Sequence, residues 1–394
     1  MKSGWVTKKL GEVCEILNGF AFQSKKYVSS GIRVIRIANV QDGRIEDKSP
    51  CFYPITYESE LSRYMLRPGD LLMSLTGYVG RVGVLNANML PAALNQRVAC
   101  LRLREGIILM QYAYYYFQQK KFREDCNSSA KGAAQPNMST AWLSEYEILI
   151  PPLPEQKRIV EKIDAAFEKI DKLKANAERN LANAKELFQS ALDEAMCPKD
   201  GWVDKRLGEV GTTLTGMTPS TRDKSNFGNF MPFVKPADIM PFNPINYREE
   251  GLSQKGVSCS RLIKSDSVLM VCIGASIGKT GYADRDCTCN QQINALMPNG
   301  FDGRYLYYML SSDKFKNKLM EDAGQATLPI INKSKWENLS ICVSLSLSEQ
   351  REIVNRLDLL AEKIKTIEQN YNRQIADCVE MRQAVLREAF EGRL

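Results

Sequence analysis

Apolar and polar positions follow two long cycles along this chain, each with a mixed segment and then a helical segment. The mixed segments contain short apolar or β-branched runs at residues 33–37, 70–75 and 267–273, separated by Gly, Asn and Pro, which is typical of strands and turns. Apolar residues at helical spacing follow at 110–123 and 304–320. The pattern predicts an α+β fold for each mixed segment.

The two cycles are copies of one module. Residues 4–13 (GWVTKKLGEV) return as residues 201–210 (GWVDKRLGEV), half of the 394-residue chain further on. Later matches, such as Asn95-Gln96 with Asn290-Gln291, keep the same order. We therefore predict four segments: module 1 (1–153), a central helix (154–197), module 2 (198–347) and a C-terminal helix (348–394).

The two helical segments carry heptad patterns that predict packing of one helix against the other. The first helix is rich in alanine at its a positions, whereas the second has bulky residues there. Further apolar positions widen the stripe beyond a two-helix seam, which indicates a partner protein; packing back onto the modules is the alternative. The candidate partner-binding residues are Ile163, Phe167, Ile170, Leu181, Phe188, Leu357, Ile364 and Ile375.

The composition excludes several classes of catalytic site. The chain has no histidine, which removes Ser-His-Asp and Cys-His catalysis and zinc sites built on imidazole. Its 11 cysteines are irregularly spaced, so we expect reduced thiols and no metal site, even where Cys272, Cys287 and Cys289 lie close in sequence. Without a run of about 18 apolar residues or a basic-then-apolar leader, we expect a cytoplasmic protein.

The net charge of +7 lies in the two modules, whereas the helical segments are close to neutral. A positive charge concentrated in globular modules favours a polyanion such as DNA as partner. Surface lysines that serve only solubility are the alternative explanation.

A glycine-hinged loop follows a strand in each module. Gly274–Thr280 resembles a nucleotide P-loop, but it has three residues between its glycines where the P-loop has four. The counterpart in module 1, Gly77–Gly83, lacks the Lys-Thr pair. Both loops bring backbone amides and one cation, Arg81 or Lys279, to a place where a DNA phosphate fits as well as a nucleotide. A nucleotide-dependent DNA enzyme remains an alternative.

Side chains that can read base edges recur in corresponding loops of the two modules. Asn and Gln pair with adenine, Arg and Lys with guanine, and Asp with the amino group of cytosine. Their joint placement in two basic modules predicts a DNA-reading role. The candidate DNA-binding residues are Arg36, Asn39, Thr76, Tyr78, Arg81, Asn95, Gln96, Arg97, Lys131, Gln135, Asn137, Thr218, Ser220, Arg222, Lys235, Asp238, Ser276, Lys279, Asn290, Gln291 and Gln292.

Several sequence blocks, in this order, resemble the DNA specificity subunits of type I restriction-modification systems. Each half opens with Trp-x-x-x-x-Leu-Gly-Glu-Val, and the strand and glycine loop follow. Module 1 then carries Leu94–Val98, Gln135-Pro136-Asn137 and Pro152–Val160, and the chain closes with Glu388–Leu394. Module 2 departs from the pattern, since Leu328-Pro329-Ile330 stands where module 1 has Gln-Pro-Asn.

The resemblance implies two target recognition domains, each reading one half of a split DNA site, held apart by two antiparallel helices. It further implies a non-catalytic chain that binds no cofactor itself. Its partners would be two methyltransferase subunits, which bind S-adenosylmethionine, and two restriction subunits, which use ATP and Mg. A coiled-coil scaffold without affinity for DNA remains a further alternative.

Overall fold

The structure, a computed structural model, describes residues 4–130, 136–323 and 329–394. The chain forms two compact units. Unit 1 consists of Met1–Ala177 with Arg373–Leu394, and unit 2 consists of Glu178–Asn372. Each unit therefore contains one module and one part of each long helix.

Unit 1 is an α+β unit. Its strands are β1 (Val6–Lys9), β2 (Cys14–Asn18), β3 (Ile32–Ile35), β4 (Val40–Gln41), β5 (Arg44–Ile45), β6 (Phe52–Tyr53), β7 (Leu71–Ser74), β8 (Val82–Val84), β9 (Ala92–Leu94), β10 (Val98–Leu103) and β11 (Glu147–Ile150). Its helices are α1 (Leu10–Val13), α2 (Met110–Phe117), α3 (Lys120–Ser129), α4 (Thr140–Glu145) and the first part of α5 (Leu153–Ala195). The main sheet has the order β2-β10-β7-β8 and is antiparallel, and a smaller sheet has the order β6-β3-β9.

Unit 2 repeats this plan. Its strands are β12 (Val203–Arg206), β13 (Gly211–Thr215), β14 (Phe227–Gly228), β15 (Phe233–Val234), β16 (Gly251–Leu252), β17 (Ser267–Val271), β18 (Thr280–Ala283), β19 (Thr288–Cys289), β20 (Ile293–Pro298) and β21 (Ser340–Val343). Its helices are α6 (Leu207–Val210), α7 (Gln254–Ser258), α8 (Gly303–Ser311), α9 (Asp313–Ala323), α10 (Lys333–Glu337) and most of α11 (Leu347–Phe390). The main sheet, β13-β20-β17-β18, corresponds strand by strand to that of unit 1.

The central strands of the main sheet in unit 1, β7 and β10, are buried on both faces, which explains why they are mostly apolar. Leu71 and Met73 of β7 face a core that includes Tyr112 of α2 and Ile163 of α5. Leu72, between them, faces a separate cluster formed with the smaller sheet. Successive side chains of a strand point to opposite faces, so one short run supplies both cores.

Equivalent buried glutamines attach each long helix to its module. Gln156 accepts a hydrogen bond from the backbone N–H of Leu109 at 2.8 Å, just before α2 begins. Gln350 accepts one from the N–H of Asp302 at 2.9 Å, just before α8. Both side-chain amides also donate to a carbonyl near the start of their own helix. The same side-chain contacts therefore tie the start of each long helix to the segment that precedes α2 or α8.

The long helices run antiparallel within unit 1. The guanidinium of Arg158, early in α5, donates to the carbonyl oxygen of Leu394 at 2.8 Å. Further along α5, Asp171 pairs with Arg382 of α11 at 2.6 Å. In unit 2, the last part of α5 and the first part of α11 share a core that contains Phe188 and Leu357. The heptad patterns predict that the helices pack on each other, and the family resemblance implies their antiparallel direction.

The heptad positions of the helices are unequally buried. Apolar residues at a, such as Ile163 and Leu357, are almost fully buried. At d, Leu173, Leu187, Ile367 and Met381 are exposed, whereas Ala166 and Leu360 are half-buried. The a positions are therefore buried more completely than the d positions, because they face the module cores as well as the other helix.

The candidate partner-binding residues lie mostly within these cores, which corrects their assignment. Leu181 and Ile375 are half-buried. The other six are buried against their own unit; they are Ile163, Phe167, Ile170, Phe188, Leu357 and Ile364. Packing back onto the modules, the alternative of the sequence analysis, accounts for these six, and a partner has to use other positions.

Candidate nucleic-acid interface

Three segments of module 1 meet where β7 ends. The N–H of Leu75 donates to the carbonyl of Arg97 at 3.0 Å, and its own carbonyl accepts the N–H of Met138 at 2.8 Å. Thr76 and Asn137 form an isolated β-bridge beside these contacts. The strand end thus lies between the 95–97 turn and the 136–138 segment, and candidate residues that are distant in sequence come together.

Module 2 builds the same arrangement where β17 ends. The N–H of Cys272 donates to the carbonyl of Gln292 at 2.8 Å, and its carbonyl accepts the N–H of Ile331 at 3.0 Å. Here Ile273 and Ile330 form the isolated β-bridge. We call the two arrangements loop cluster 1 (residues 74–81, 95–97 and 136–138) and loop cluster 2 (residues 271–279, 290–292 and 329–331).

A side-chain hydrogen bond shapes the same turn in both clusters. The Oδ1 atom of Asn95 accepts the N–H of Arg97 at 3.1 Å, and that of Asn290 accepts the N–H of Gln292 at 3.2 Å. Such Asx turns fix the backbone locally. Both asparagines, and Gln292, whose Oε1 accepts from Asn290 at 3.0 Å, therefore hold the turn.

The middle residue of each turn is presented to solvent. Gln96 is exposed together with Arg97, and Gln291 is exposed at the corresponding position. The hydroxyl of Thr218 donates to Oε1 of Gln291, which leaves the amide donors of this glutamine directed outward. Asn137 is also exposed. These side chains have the placement that base-edge contacts require.

The glycine loop of cluster 1 holds a stacked aromatic and cationic pair. Gly77 and Gly80 have φ of 68° and 77°, in the left-handed region that favours glycine. Between them, Tyr78 is 73% exposed, and the guanidinium of Arg81 lies 4.0 Å from the centre of its ring. Arg81 also donates to Oε1 of Gln41 at 3.3 Å. The cation is therefore held in one place, with further N–H groups available to a phosphate.

The corresponding loop of cluster 2 carries a lysine instead. Within the described part of the chain, the ammonium of Lys279 has neither an ion pair nor a hydrogen bond, and Ser276 lies half-buried in the same loop. The hydroxyl of Thr280 is buried and donates to the carbonyl of Gly278 at 3.1 Å. A P-loop needs this hydroxyl for magnesium. The geometry therefore disfavours the nucleotide alternative and leaves a free cation suited to phosphate.

Two candidate residues hold local turns and are corrected. Asn39 is buried, where its Oδ1 accepts the N–H of Arg36 at 2.9 Å and its amide donates to the carbonyl of Glu46 at 2.8 Å. Asp238 is buried at the equivalent turn, accepting the N–H of Lys235 at 2.8 Å. Neither side chain faces solvent, so we withdraw both as base contacts.

The remaining candidates lie around the clusters. Arg36 is half-buried and donates to the carbonyl of Ser49 at 2.7 Å, whereas Lys235 is exposed. Ser220 and Arg222 are exposed in the segment after β13. Lys131 and Gln135 lie outside the described residues.

The thiols of module 2 are unsuited to metal binding. Burial raises the pKa of Cys272 to about 12 and that of Cys287 to about 12, so both are protonated at neutral pH. Among residues 4–130, 136–323 and 329–394, no group of three or more Cys, Asp or Glu side chains is placed to hold a metal ion.

A comparison with protein families identifies the repeated module. The type I restriction modification DNA specificity domain matches residues 2–181 and again residues 199–376. The chain belongs to this family.

Two relatives match this chain over nearly its whole length. It is 26% identical to the type I restriction enzyme StySPI specificity subunit of Salmonella potsdam, over 100% of this chain and 90% of the relative. It is 23% identical to the type I restriction enzyme EcoBI specificity subunit of Escherichia coli, over 99% of this chain and 86% of the relative.

Two solved structures share the fold of this chain. One, from work on complex assembly and conformational transition of the type I R-M system, superposes with a TM-score of 0.77 at 22% identity and covers 100% of this chain and 99% of that one. The HsdS subunit of Thermoanaerobacter tengcongensis superposes with a TM-score of 0.56 at 22% identity, and the match covers 100% of this chain and 98% of that one. The fold is two tandem α+β target recognition domains, each followed by a long helix.

Two features of the clusters become visible only in the structure. Gln41 holds Arg81 from a hairpin 40 positions away, and no local pattern connects the two residues. Ile330 occupies the place of Asn137, so the departure of module 2 from the Gln-Pro-Asn pattern lies within the cluster itself. None of the helices in the described ranges is both long and apolar enough to span a membrane.

Proposed function

We propose that the chain is the specificity subunit of a type I restriction-modification complex and reads a bipartite DNA target, one half-site for each module. The equivalence of the two loop clusters carries this proposal. Each cluster brings a strand end, an Asn-Gln turn and a proline-containing segment to the same end of the same sheet. Two similar reading surfaces in one chain suit a target with two halves.

Cations and amides have separate tasks in this proposal. Arg81 and Lys279 contact phosphate groups, which contributes affinity that is independent of sequence. Gln96, Arg97 and Gln291 contact base edges, because these exposed side chains offer the donors and acceptors that distinguish base pairs in the major groove.

The chain itself is non-catalytic and binds no cofactor in this proposal. Two methyltransferase subunits bind S-adenosylmethionine, and two restriction subunits use ATP and Mg. The complex acts on DNA in the cytoplasm. The absence of histidine from the sequence and the buried hydroxyl of Thr280 support this division of tasks.

The exposed d positions of the helices are the proposed contacts for partner subunits. Leu173 and Leu187 of α5 are 54% and 59% exposed, and Met381 of α11 is 46% exposed. Apolar side chains recurring at heptad spacing are typical of helices that receive another helix. The helix pair would also set the spacer between the half-sites.

Sequencing of methylated adenine tests the proposal. The chain is expressed with its cognate methyltransferase subunit in a host that lacks DNA methylation. We expect a split motif with a constant spacer, of which one half changes when either module is exchanged. A soluble complex that methylates no defined motif would refute the reading role and favour the scaffold alternative.

The spacer role has its own test. Deleting one heptad from each helix should change the spacer and leave both half-sites intact. An unchanged spacer in a complex that still methylates would refute this part of the proposal.

A further inference from the structure

The two loop clusters carry chemically opposite pairs at one corresponding place. In cluster 1 the isolated β-bridge joins Thr76 and Asn137, and in cluster 2 it joins Ile273 and Ile330. The surrounding hydrogen bonds are the same: a loop glycine donates to the carbonyl of the residue before the bridge, Pro136 or Pro329, at 3.0 Å in both clusters. The two bridges therefore hold equivalent positions, and only their side chains differ.

Ile330 is exposed, and the packing of its segment depends on the next residue instead. It is 51% exposed, whereas the next residue, Ile331, is buried at 1%. The equivalent pair in cluster 1 divides in the same way, since Asn137 is exposed and Met138 is buried at 1%. The second residue of each pair anchors the segment, so the first is free to serve a ligand.

Ile330 lies where apolar side chains meet the polar groups of cluster 2. The bridge partner Ile273 precedes the glycine loop of Lys279, and the strand end before it is hydrogen-bonded to Gln292. Met217, 46% exposed, donates its N–H to the carbonyl of Cys289 at 2.9 Å and so lies beside the same turn. An apolar contact thus stands next to the amides and the cation of cluster 2.

DNA offers one apolar group on its base edges in the major groove, the C5 methyl of thymine. An exposed isoleucine beside amides and a cation matches that methyl group. We propose that Ile330 is a specificity-determining residue that contacts a thymine methyl in the half-site read by module 2. Asn137 occupies the corresponding place in module 1 with hydrogen-bonding groups. The inference rests on the proposed function.

Deoxyuridine tests this contact directly, because it keeps the base pairing of thymidine and lacks the methyl. Once methylation has defined the target, each thymidine of the module 2 half-site is replaced singly, and binding of the assembled methyltransferase complex is measured. We expect one position at which affinity falls about fourfold, the effect of removing one methyl-sized group from an apolar contact.

Two variants assign the effect to Ile330. The complex with Ile330→Ala should bind the thymidine and deoxyuridine duplexes equally at that position, and Ile330→Gln should do the same. Asn137→Ala is the matched control, because it alters the equivalent place in module 1 and should keep the full deoxyuridine effect in the module 2 half-site. Thermal unfolding checks that the variants are folded.

The outcomes separate this inference from the function on which it rests. A module 2 half-site without an A·T pair, or a deoxyuridine effect that persists in Ile330→Ala, would overturn the inference and leave sequence-specific binding intact. The absence of any defined target would refute the proposed function and this inference with it.

Discussion

Removal of the Lys279 ammonium tests the separation of phosphate contact from base reading. The ammonium has no partner within the described part of unit 2, so Lys279→Ala removes a charge without leaving another charge unpaired. One lost phosphate contact lowers the slope of log K against log salt by about 0.9. Between about 50 mM and about 200 mM salt, the factor by which the variant binds DNA more weakly than the wild type should therefore shrink about 3.5-fold.

The assay is a salt titration of binding to duplexes with the intact target and with one changed base pair. Lys279→Ala should weaken binding to both duplexes by the same factor. Gln291→Ala should keep the wild-type salt slope and lose discrimination at one base pair, by about 1–3 kcal/mol if the contact is bidentate.

A paired lysine of the same unit provides the control. Lys264 forms an ion pair with Asp286 at 2.9 Å, so Lys264→Ala should leave the salt slope unchanged. The reasoning is refuted if Lys279→Ala has the wild-type slope, or if Lys264→Ala lowers the slope as much.

Three further predictions concern stability and local geometry. Phe242 has φ of 58°, and its ring centre lies 4.7 Å from that of Phe188. In urea denaturation, Phe242→Ala should lower the free energy of unfolding by about 2 kcal/mol, and Phe242→Gly should lower it by about 1 kcal/mol less, because glycine tolerates this φ. Equal losses of stability in the two variants would contradict a strained turn. The hydroxyl of Ser344 and the indole N–H of Trp202 hold the pKa of Glu349 below its usual 4.5. The contribution of this carboxylate to stability is therefore present above pH 4.5 and lost as the pH falls through the lowered pKa. Glu349→Gln should flatten the loss of stability between neutral and acidic pH, and an unchanged profile would show that the carboxylate contributes nothing. A Cβ atom on Gly19 would lie 2.2 Å from the backbone of Asn95, and one on Gly216 would lie 2.2 Å from that of Asn290. In binding to duplexes with single changed base pairs, each Gly→Ala variant should lose discrimination in its own half-site and keep it in the other; loss of discrimination in both half-sites from one variant would contradict independent clusters.

The repeat made much of the fold predictable, because equivalent sequence blocks build equivalent contacts. The Asn-Gln turns and the buried glutamines of the long helices both follow from matched pairs in the sequence. The roles of individual polar residues were less predictable. Asn39 and Asp238 have the chemistry of base readers, but the same chemistry closes a turn, and only tertiary structure decides between these uses.

The helices show a similar limit. Heptad spacing predicted that Ile163 and Ile170 lie on an apolar face, and they do. Spacing alone did not reveal that the module fills the space beside them, while Leu173 on the neighbouring stripe stays exposed. Periodicity identifies which positions share a face, and the surrounding fold decides what covers that face.

Unit 1 is built from the first and the last segments of the chain, which affects how it can fold during synthesis on the ribosome. Its core contains Leu386, Ala389 and Phe390, and the ring of Phe390 packs edge-on against Tyr112 at 5.1 Å. These residues are translated after all of unit 2. Domains usually fold in the order in which they are made. Here most of unit 1 is made first but has to wait, with part of its apolar surface uncovered, until unit 2 has been synthesised and the second helix returns to complete it.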